Sequence, residues 1–155
     1  MPDLQPVADR VEIEALRAEF TDAVMMHDPA RIAALFTDDG VLRMPDVPLE
    51  SIGSAIARDS ERLQGAWDFF VQTSHSGAVE LNGDSASGRT YVHELARLTD
   101  GREGVNYGVY HDRYRRTENG WRFAERTYEV RYFDPSALGG TAVAPGAAAA
   151  HQFSS

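Results

Sequence analysis

Residues 67–133 decide the fold, and they read WDFFVQTSHSGAVELNGDSASGRTYVHELARLTDGREGVNYGVYHDRYRRTENGWRFAERTYEVRYF. The stretch is rich in β-branched and aromatic residues, which favour strands, and three Asn/Asp/Gly-rich turns divide it. The turns are Asn82-Gly83-Asp84, Asp100-Gly101 and Glu118-Asn119-Gly120. Strands are expected at 68–81, 85–98, 105–116 and 121–133. Short turns between successive long strands predict an antiparallel meander.

Helices are expected before this meander, because apolar residues there recur at helical spacing. Asp28 can cap the second helix, with Pro29 at its first position. Helices are expected at 11–27, 29–36 and 54–63, with a short strand at 41–44 and a loop at 46–51. Helices followed by an antiparallel sheet are the α+β pattern. A long twisted sheet curls, and helices on its concave side leave room for a ligand pocket.

The chain of 155 residues fits one domain. Residues 1–10 are polar with two prolines and are interpreted as a flexible N-terminal arm. The domain is expected to span residues 11–134. Residues 135–155 are rich in Gly, Ala and Pro, and they predict a largely disordered tail because they offer little apolar surface to bury.

Composition excludes several classes of function. Acidic residues outnumber basic ones by 24 to 15, giving a net charge of −9, which disfavours a nucleic-acid partner. There is no apolar run of membrane-spanning length and no secretion signal, so a cytoplasmic protein without membrane contact is expected. No cysteine, close-spaced His pair or phosphate-binding Gly-rich loop is present, so neither a metal nor a cofactor is expected.

Two motifs resemble the SnoaL-like proteins of the nuclear transport factor 2-like superfamily. Residues 30–41, ARIAALFTDDGV, match a helix followed by an LF-x-D-D-A/G-V strand, and residues 108–114, GVYHDRY, precede Gly120-Trp121-Arg122. The resemblance covers about residues 10–134. It implies a cone-shaped α+β barrel, with N-terminal helices packed on a curved antiparallel or mixed sheet. Within the class, the chain looks most like the branch of scytalone dehydratase, hexachlorocyclohexane dehydrochlorinase and bile acid 7α-dehydratase.

The resemblance to this branch also implies a catalytic site. His75, in Thr73-Ser74-His75, stands where the branch has a His that acts as general base or acid in eliminations. Arg131 stands where the bile acid enzyme has an Arg near the end of the last strand. The chain departs from the branch at Met25, where an Asp partner of the His is usual, and at Phe20, which replaces a Tyr.

Further candidates come from the strands themselves. His93 and Glu94 are neighbours in a strand, so they point to opposite faces, and the pattern does not decide which faces the pocket. Glu129 and Arg131 share a face and form either an ion pair or part of the site. Asp112 and Arg126 are better explained as a structural cross-strand pair.

The function that these residues predict is a cofactor-independent lyase or isomerase, of dehydratase or polyketide-cyclase type. Its ligand would be a small hydrophobic metabolite, polycyclic or aromatic, in a natural-product or catabolic pathway. The pocket wall is expected to contain Phe20, Met25, Met26, Trp67, Phe69, Tyr91 and Tyr107. The alternatives are a non-enzymatic ligand-binding protein of the same fold and an epoxide-hydrolase-like enzyme using Asp22 and Asp112 with Arg131. A homodimer or higher homo-oligomer that pairs through the outer face of the sheet is also expected.

Overall fold

The computed structural model of the chain describes residues 1–143, in which three helices and seven strands follow one another. The helices are α1 (Gln5–Met25), α2 (Pro29–Ala34) and α3 (Ala55–Gly65). The strands are β1 (Phe36–Met44), β2 (Leu49–Ile52), β3 (Trp67–His75), β4 (Val79–Asn82), β5 (Ser85–Leu98), β6 (Glu103–Thr117) and β7 (Gly120–Asp134). No helix within these residues has the length and apolar character needed to span a membrane.

The strands form one mixed sheet in the order β2-β1-β7-β6-β5-β3, and β4 pairs with the first four residues of β5, Ser85 to Gly88. Strand β1 runs parallel to β7, and all other pairs are antiparallel. The α+β fold with a curved mixed sheet is therefore confirmed. The sheet does not close into a cone-shaped barrel, because the four-residue β2 leads into α3 rather than pairing with β3.

The N-terminal helix is longer than its apolar pattern predicts. It begins at Gln5, so most of the expected arm at residues 1–10 is helical. Asp9 in this segment is buried and accepts hydrogen bonds from Arg116 Nη1 at 2.8 Å and from Trp121 Nε1 at 3.2 Å. The polar side chain of Asp9 therefore joins the first turns of α1 to β6 and β7. Apolar periodicity does not reveal this part of the helix, because its contact with the sheet is polar.

Two strand boundaries also differ from those expected. The strand predicted at 68–81 is interrupted at residues 76–78, where Gly77 lies so close to Arg89 that a Cβ atom would be 1.7 Å from the Arg89 carbonyl oxygen. Strand β2 lies in the segment predicted as a loop at 46–51. Of the predicted tail, residues 144–155 lie outside the described residues, and Leu138 N–H donates to Glu103 Oε1 at 3.2 Å.

Helix α1 packs across the concave face of the sheet and supplies much of the core. Its buried apolar residues recur at helical spacing, and they are Ile13, Leu16, Phe20, Ala23 and Val24. The Phe20 ring meets the rings of Phe36, Tyr110 and Phe123 edge-on, with centroids 5.6–6.3 Å apart. These contacts fix the helix over the centre of the sheet and leave a space beside it, toward α3.

A buried ion pair lies beneath α1 at the centre of the sheet. Arg126 Nε donates to Asp112 Oδ1 at 2.7 Å, and neither side chain is exposed by more than 1%. Asp112 Oδ2 also accepts from Thr90 Oγ1 at 2.9 Å and from Tyr114 Oη at 2.8 Å. Arg17 Nε on α1 donates to Tyr114 Oη at 2.7 Å. The cross-strand pairing predicted for Asp112 and Arg126 is confirmed, and it extends into a network that reaches the helix.

Replacing Asp112 with Ala is expected to lower the free energy of unfolding by about 3–5 kcal/mol, because the substitution leaves the buried Arg126 without its counter-charge. Denaturation in guanidinium chloride measures the loss. Asp100→Ala is the matched control, because Asp100 pairs with Arg102 at a similar distance, 2.8 Å, but on the surface. This control should cost less than about 1 kcal/mol. Equal losses in the two variants would contradict the structural role of the buried pair.

Candidate functional site

A cavity of about 660 Å³ lies between the helices and the concave face of the sheet. This volume falls within the range of small-molecule sites. Most of its wall is apolar and comes from both layers, including Phe20, Val24, Leu42, Leu63, Trp67, Phe70, Val130 and Phe133. The rings of Trp67 and Phe70 stack with their centroids 3.9 Å apart and nearly parallel. The predicted wall residues Phe20 and Trp67 therefore line the cavity, which has the character of a site for an apolar, ring-shaped ligand.

A carboxylate stands in this apolar wall. Glu94 on β5 is buried and lines the cavity. Its Oε1 accepts a hydrogen bond from Gln72 Nε2 at 2.7 Å. Its Oε2 accepts from Tyr128 Oη at 2.7 Å and, more weakly, from Asn106 Nδ2 at 3.4 Å. These donors hold the carboxylate in a fixed orientation at the cavity surface.

The sheet register brings this group together. Gln72 on β3 is the cross-strand partner of Glu94, which in turn is the partner of Asn106 on β6. Tyr128 reaches Glu94 from β7, one strand further away, by lying across β6 at Gly108. A Cβ atom at Gly108 would lie 2.5 Å from Tyr128 Oη, so this contact requires glycine.

Two tyrosine hydroxyls at the cavity stay protonated. Burial raises the pKa of Tyr110 and of Tyr128 far above the ordinary value of about 10, and the neighbouring Glu94 carboxylate raises both further. Tyr110 Oη accepts from Gln72 Nε2 at 3.4 Å, and within residues 1–143 its own hydroxyl hydrogen has no acceptor. The Tyr110 hydroxyl can therefore donate to a ligand.

Four of the five predicted catalytic residues do not line the cavity. His75 is exposed on the outer face of the sheet, and the expectation that it projects into the cavity is wrong. The reason is the alternation of side chains along β3 beyond the register shift between Trp67 and Phe69, because Gln72 faces inward and His75, three residues further on, therefore faces outward. The same alternation decides the pair on β5, where Glu94 faces the cavity and His93 faces outward.

Glu129 and Arg131 form a surface cluster with His111 on the outer face. Glu129 Oε1 accepts from Arg131 Nη1 at 3.0 Å, and Glu129 Oε2 lies 2.6 Å from His111 Nε2. The contacts with His111 and Arg131 hold the pKa of Glu129 below its ordinary value. Glu129 and Arg131 therefore form an ion pair, which is one of the two interpretations of their shared face, and this pair lies outside the cavity.

The other predicted wall residues also lie away from the cavity. Tyr91 and Tyr107 are about half exposed on the outer face, where the His93 ring stacks on Tyr107 with centroids 4.4 Å apart. Phe69 lines a separate outer cleft of about 150 Å³. Met26 is exposed at the end of α1. Met25 lies just behind the wall, where its Sδ accepts from the Gln72 backbone N–H at 3.1 Å.

The candidates predicted from the sequence omit several polar residues of the cavity, among them Gln64, Gln72, Tyr110 and Tyr128. The predicted pairing of Asp112 with Arg126 could have revealed the orientation of Tyr110. A structural ion pair of this kind lies in the core, so Asp112 must face inward. Every second residue from Asp112 on β6 then faces the same side, which includes Tyr110. This alternation would have excluded Tyr107 and His111 from the cavity.

Within residues 1–143, the side chains are not arranged as a metal site or as the site of the epoxide-hydrolase alternative. Among residues 1–143, no three His, Asp or Glu side chains lie close enough together to hold a metal ion. The Asp22–Asp112–Arg131 set of the hydrolase alternative is dispersed. Asp22 pairs with Arg31 on the surface, Asp112 is saturated by Arg126, and Arg131 is on the outer face.

The helices, the curved sheet and the cavity between them are those of a small α+β ligand-binding fold, and the chain belongs to the SnoaL-like domain family. The family profile matches residues 5–127. The chain is 26% identical over 150 residues to the gamma-hexachlorocyclohexane dehydrochlorinase of Sphingobium indicum, covering 88% of this chain and 90% of that protein.

Solved structures show the same architecture. The crystal structure of a type 2 hexachlorocyclohexane dehydrochlorinase (LinA) superposes with a TM-score of 0.82 at 23% identity, covering 94% of this chain and 99% of that one. A candidate scytalone dehydratase from Novosphingobium aromaticivorans superposes with a TM-score of 0.74 at 20% identity, covering 93% and 97% of the two chains. At these identities the likeness establishes the fold.

The raised tyrosine pKa values give a test of the site. At about pH 11, Tyr110 and Tyr128 in the folded protein should keep protons that they lose in the unfolded chain. Unfolding at this pH should therefore raise the ultraviolet absorbance of phenolate, and Tyr128→Phe should reduce the rise by about one phenolate. An undiminished rise in the variant, with circular dichroism showing that it is folded beforehand, would contradict the buried hydroxyl.

The sign of the accompanying stability change follows from the same pKa values. The folded state binds more protons than the unfolded state above about pH 10, so the free energy of unfolding falls as the pH rises. Tyr128→Phe removes one group that contributes to this fall. Its free energy of unfolding should therefore decline less steeply than that of the parent above about pH 10, as denaturant titrations at several pH values would show.

Proposed function

We propose that this protein is a cofactor-free lyase or isomerase that acts on a small hydrophobic ring compound, with Glu94 as the proton acceptor. The observation that carries the proposal is the buried Glu94 carboxylate, which Gln72 and Tyr128 hold at the wall of a mostly apolar cavity. A positioned carboxylate facing a ligand is a general base, and the apolar walls around it exclude water from the reacting atoms.

The proposed step is the removal of a proton from carbon. Glu94 takes the proton, and the C–H electron pair becomes a carbon–carbon double bond as a leaving group departs from the adjacent carbon with its bonding electrons. Where the leaving group is hydroxide, the protonated Glu94 returns the proton to it as water. Where the double bond shifts instead, the proton returns to another carbon. Where the leaving group is chloride, the protonated Glu94 releases its proton to solvent as the product departs. Each of these sequences leaves Glu94 as it began, without an external oxidant or reductant.

Tyr110 is proposed to stabilise charge during this step. Proton removal beside a carbonyl places negative charge on the carbonyl oxygen. Because burial keeps Tyr110 protonated and its hydroxyl hydrogen has no acceptor within residues 1–143, it can donate to that oxygen. A preorganised donor in a site without water is an effective source of transition-state stabilisation.

The relatives support elimination as the reaction type. Loss of hydrogen and chlorine from adjacent carbons also begins with removal of a proton from an apolar ring, and hexachlorocyclohexane dehydrochlorinases are similar to this chain in sequence and fold. The chain differs in the groups available for this step, because Met25 offers only a thioether and no histidine within residues 1–143 lines the cavity. We therefore assign the proton transfer to the sheet carboxylate.

A second candidate function is binding of the same class of ligand without turnover. The observation that favours it is the set of three donors on Glu94, because a carboxylate held in this way can also anchor a ligand hydroxyl. Turnover and ligand affinity, both measured for Glu94→Gln, distinguish catalysis from binding alone.

We also propose that the protein is a cytoplasmic homodimer that pairs through the outer face of the sheet. This face exposes about half or more of the side chains of Tyr91, Tyr107 and Tyr132, and such a set of exposed aromatic residues is typical of an interface. Tyr107→Lys should therefore shift the sedimentation of a dimer toward the monomer. A parent that sediments as a 17.1 kDa species at micromolar concentration would contradict the proposal.

Glu94→Gln should reduce turnover by about 10²–10⁴-fold, because an amide cannot accept the proton. Ligand affinity should stay within about tenfold of the parent, since Gln keeps the size and one acceptor oxygen. The assays are chloride release from hexachlorocyclohexane and loss of water from cyclic β-hydroxyketones, followed as formation of the conjugated ketone. Affinity is measured separately by equilibrium dialysis.

The control for this experiment is Glu80→Gln, a matched change at an exposed position of β4, which should keep full turnover. His75→Ala is measured beside it. Loss of turnover in His75→Ala together with full turnover in Glu94→Gln would overturn the assignment of the base. Parent protein that binds these compounds tightly but converts none of them would favour the binding function.

A further inference from the structure

Gln64 is a residue of the cavity wall whose amide nitrogen has no hydrogen-bond partner within residues 1–143. The side chain lies in the last turn of α3, it is only 7% exposed, and it lines the cavity. Its Nε2 atom is buried and has no hydrogen-bond partner within residues 1–143. Buried polar side chains are nearly always hydrogen-bonded in folded proteins. An amide in this position, whose partner is not part of the protein core, is suited to a ligand.

The position of Gln64 complements that of Glu94. Gln64 enters the cavity from the helical layer, whereas Glu94 enters from the sheet, and stacked Trp67 and Phe70 form part of the wall that they share. A ligand that fills this space can contact both groups. Within residues 1–143, Gln64 makes no hydrogen bond to Glu94, whose partners are Gln72, Tyr128 and Asn106. It is therefore a second, independent point of recognition.

We propose that Gln64 determines ligand specificity by donating a hydrogen bond from its amide to an acceptor oxygen on the ring compound in the cavity. The inference rests on the proposed function in that the same ligand is the substrate whose proton Glu94 removes. It adds the substrate class, which is an oxygenated ring compound, with a carbonyl or ether oxygen directed at α3. A wholly halogenated or hydrocarbon ring would leave the amide unpaired, since organic chlorine and C–H groups are poor acceptors.

The alternative is that Gln64 only fills space in the wall. Leu63 and Ala66, which are close to Gln64 along the chain, also line the cavity, and the aliphatic stem of Gln64 adds apolar surface to this part of the wall. Under this alternative, replacement by Met, which has a similar length and no amide, would leave the relative affinity for oxygenated and oxygen-free ligands unchanged. Under the proposal, the same replacement would remove the preference for oxygen.

The experiment compares two probes that differ in one group. Benzophenone and diphenylmethane have the same two rings joined by a carbonyl or by a methylene, and equilibrium dialysis gives the dissociation constant of each for the full-length protein. The parent should bind benzophenone at least about tenfold more tightly, which is the scale expected for one buried hydrogen bond. Gln64→Met should reduce this ratio to about one, mainly by weakening the binding of benzophenone.

Leu63→Met is the matched control, because it alters the neighbouring wall residue without touching the amide, and it should keep the ratio of the parent. Circular dichroism and thermal melting confirm that each variant is folded. An equal affinity of the parent for both probes, no detectable binding of benzophenone up to its solubility, or an unchanged ratio in Gln64→Met would each overturn the proposal. None of these outcomes depends on turnover, so a failure here is distinct from a failure of Glu94→Gln to abolish the reaction.

Discussion

The buried Asp112–Arg126 pair is the interaction on which the rest of the structure depends. It sits at the centre of the sheet, and Tyr114 extends it to Arg17 on α1, so the helix is bound to the sheet by polar contacts as well as by packing. The guanidinium of Arg126 also lies 4.1–4.4 Å from the ring centroids of Phe20, Tyr110 and Phe123. Since Phe20 and Tyr110 line the cavity with the rest of their surfaces, the pair supports its floor.

The same pair sets which side chains can take part in chemistry. With Asp112 inward, the alternation along β6 places Tyr110 inward and His111 outward. The cross-strand register transmits this choice to β5, where Glu94 faces the cavity and His93 does not. A shift by one residue in any of these strands would exchange its inward-facing and outward-facing side chains. Such a shift would also expose a charged side chain that is now buried and would bury another charged side chain without a partner. Burial of the ion pair therefore enforces the composition of the site.

The sequence alone was sufficient to predict the α+β order, the long strands and the pairing of Asp112 with Arg126, because these depend on local turns and periodicity. It did not reveal β2 or the interruption around Gly77, since both depend on contacts with distant backbone. It also assigned the base to His75, because a motif gives the position of a residue along the chain but not the face on which a strand presents it. Glu94 was a candidate, yet its orientation was undecided until the register was known.

Neutral hydrogen-bond donors explain how a carboxylate can stand in an apolar wall. The positive charges of the cavity floor already have counter-charges, because Arg126 pairs with Asp112 at 2.7 Å and Arg17 pairs with Glu14 at 2.8 Å. Glu94 makes no ion pair within residues 1–143, and its oxygens accept instead from Gln72, Tyr128 and Asn106. These hydrogen bonds compensate for the water that the carboxylate loses on burial. Because no direct counter-charge holds its oxygens, Glu94 remains able to accept a proton from a substrate.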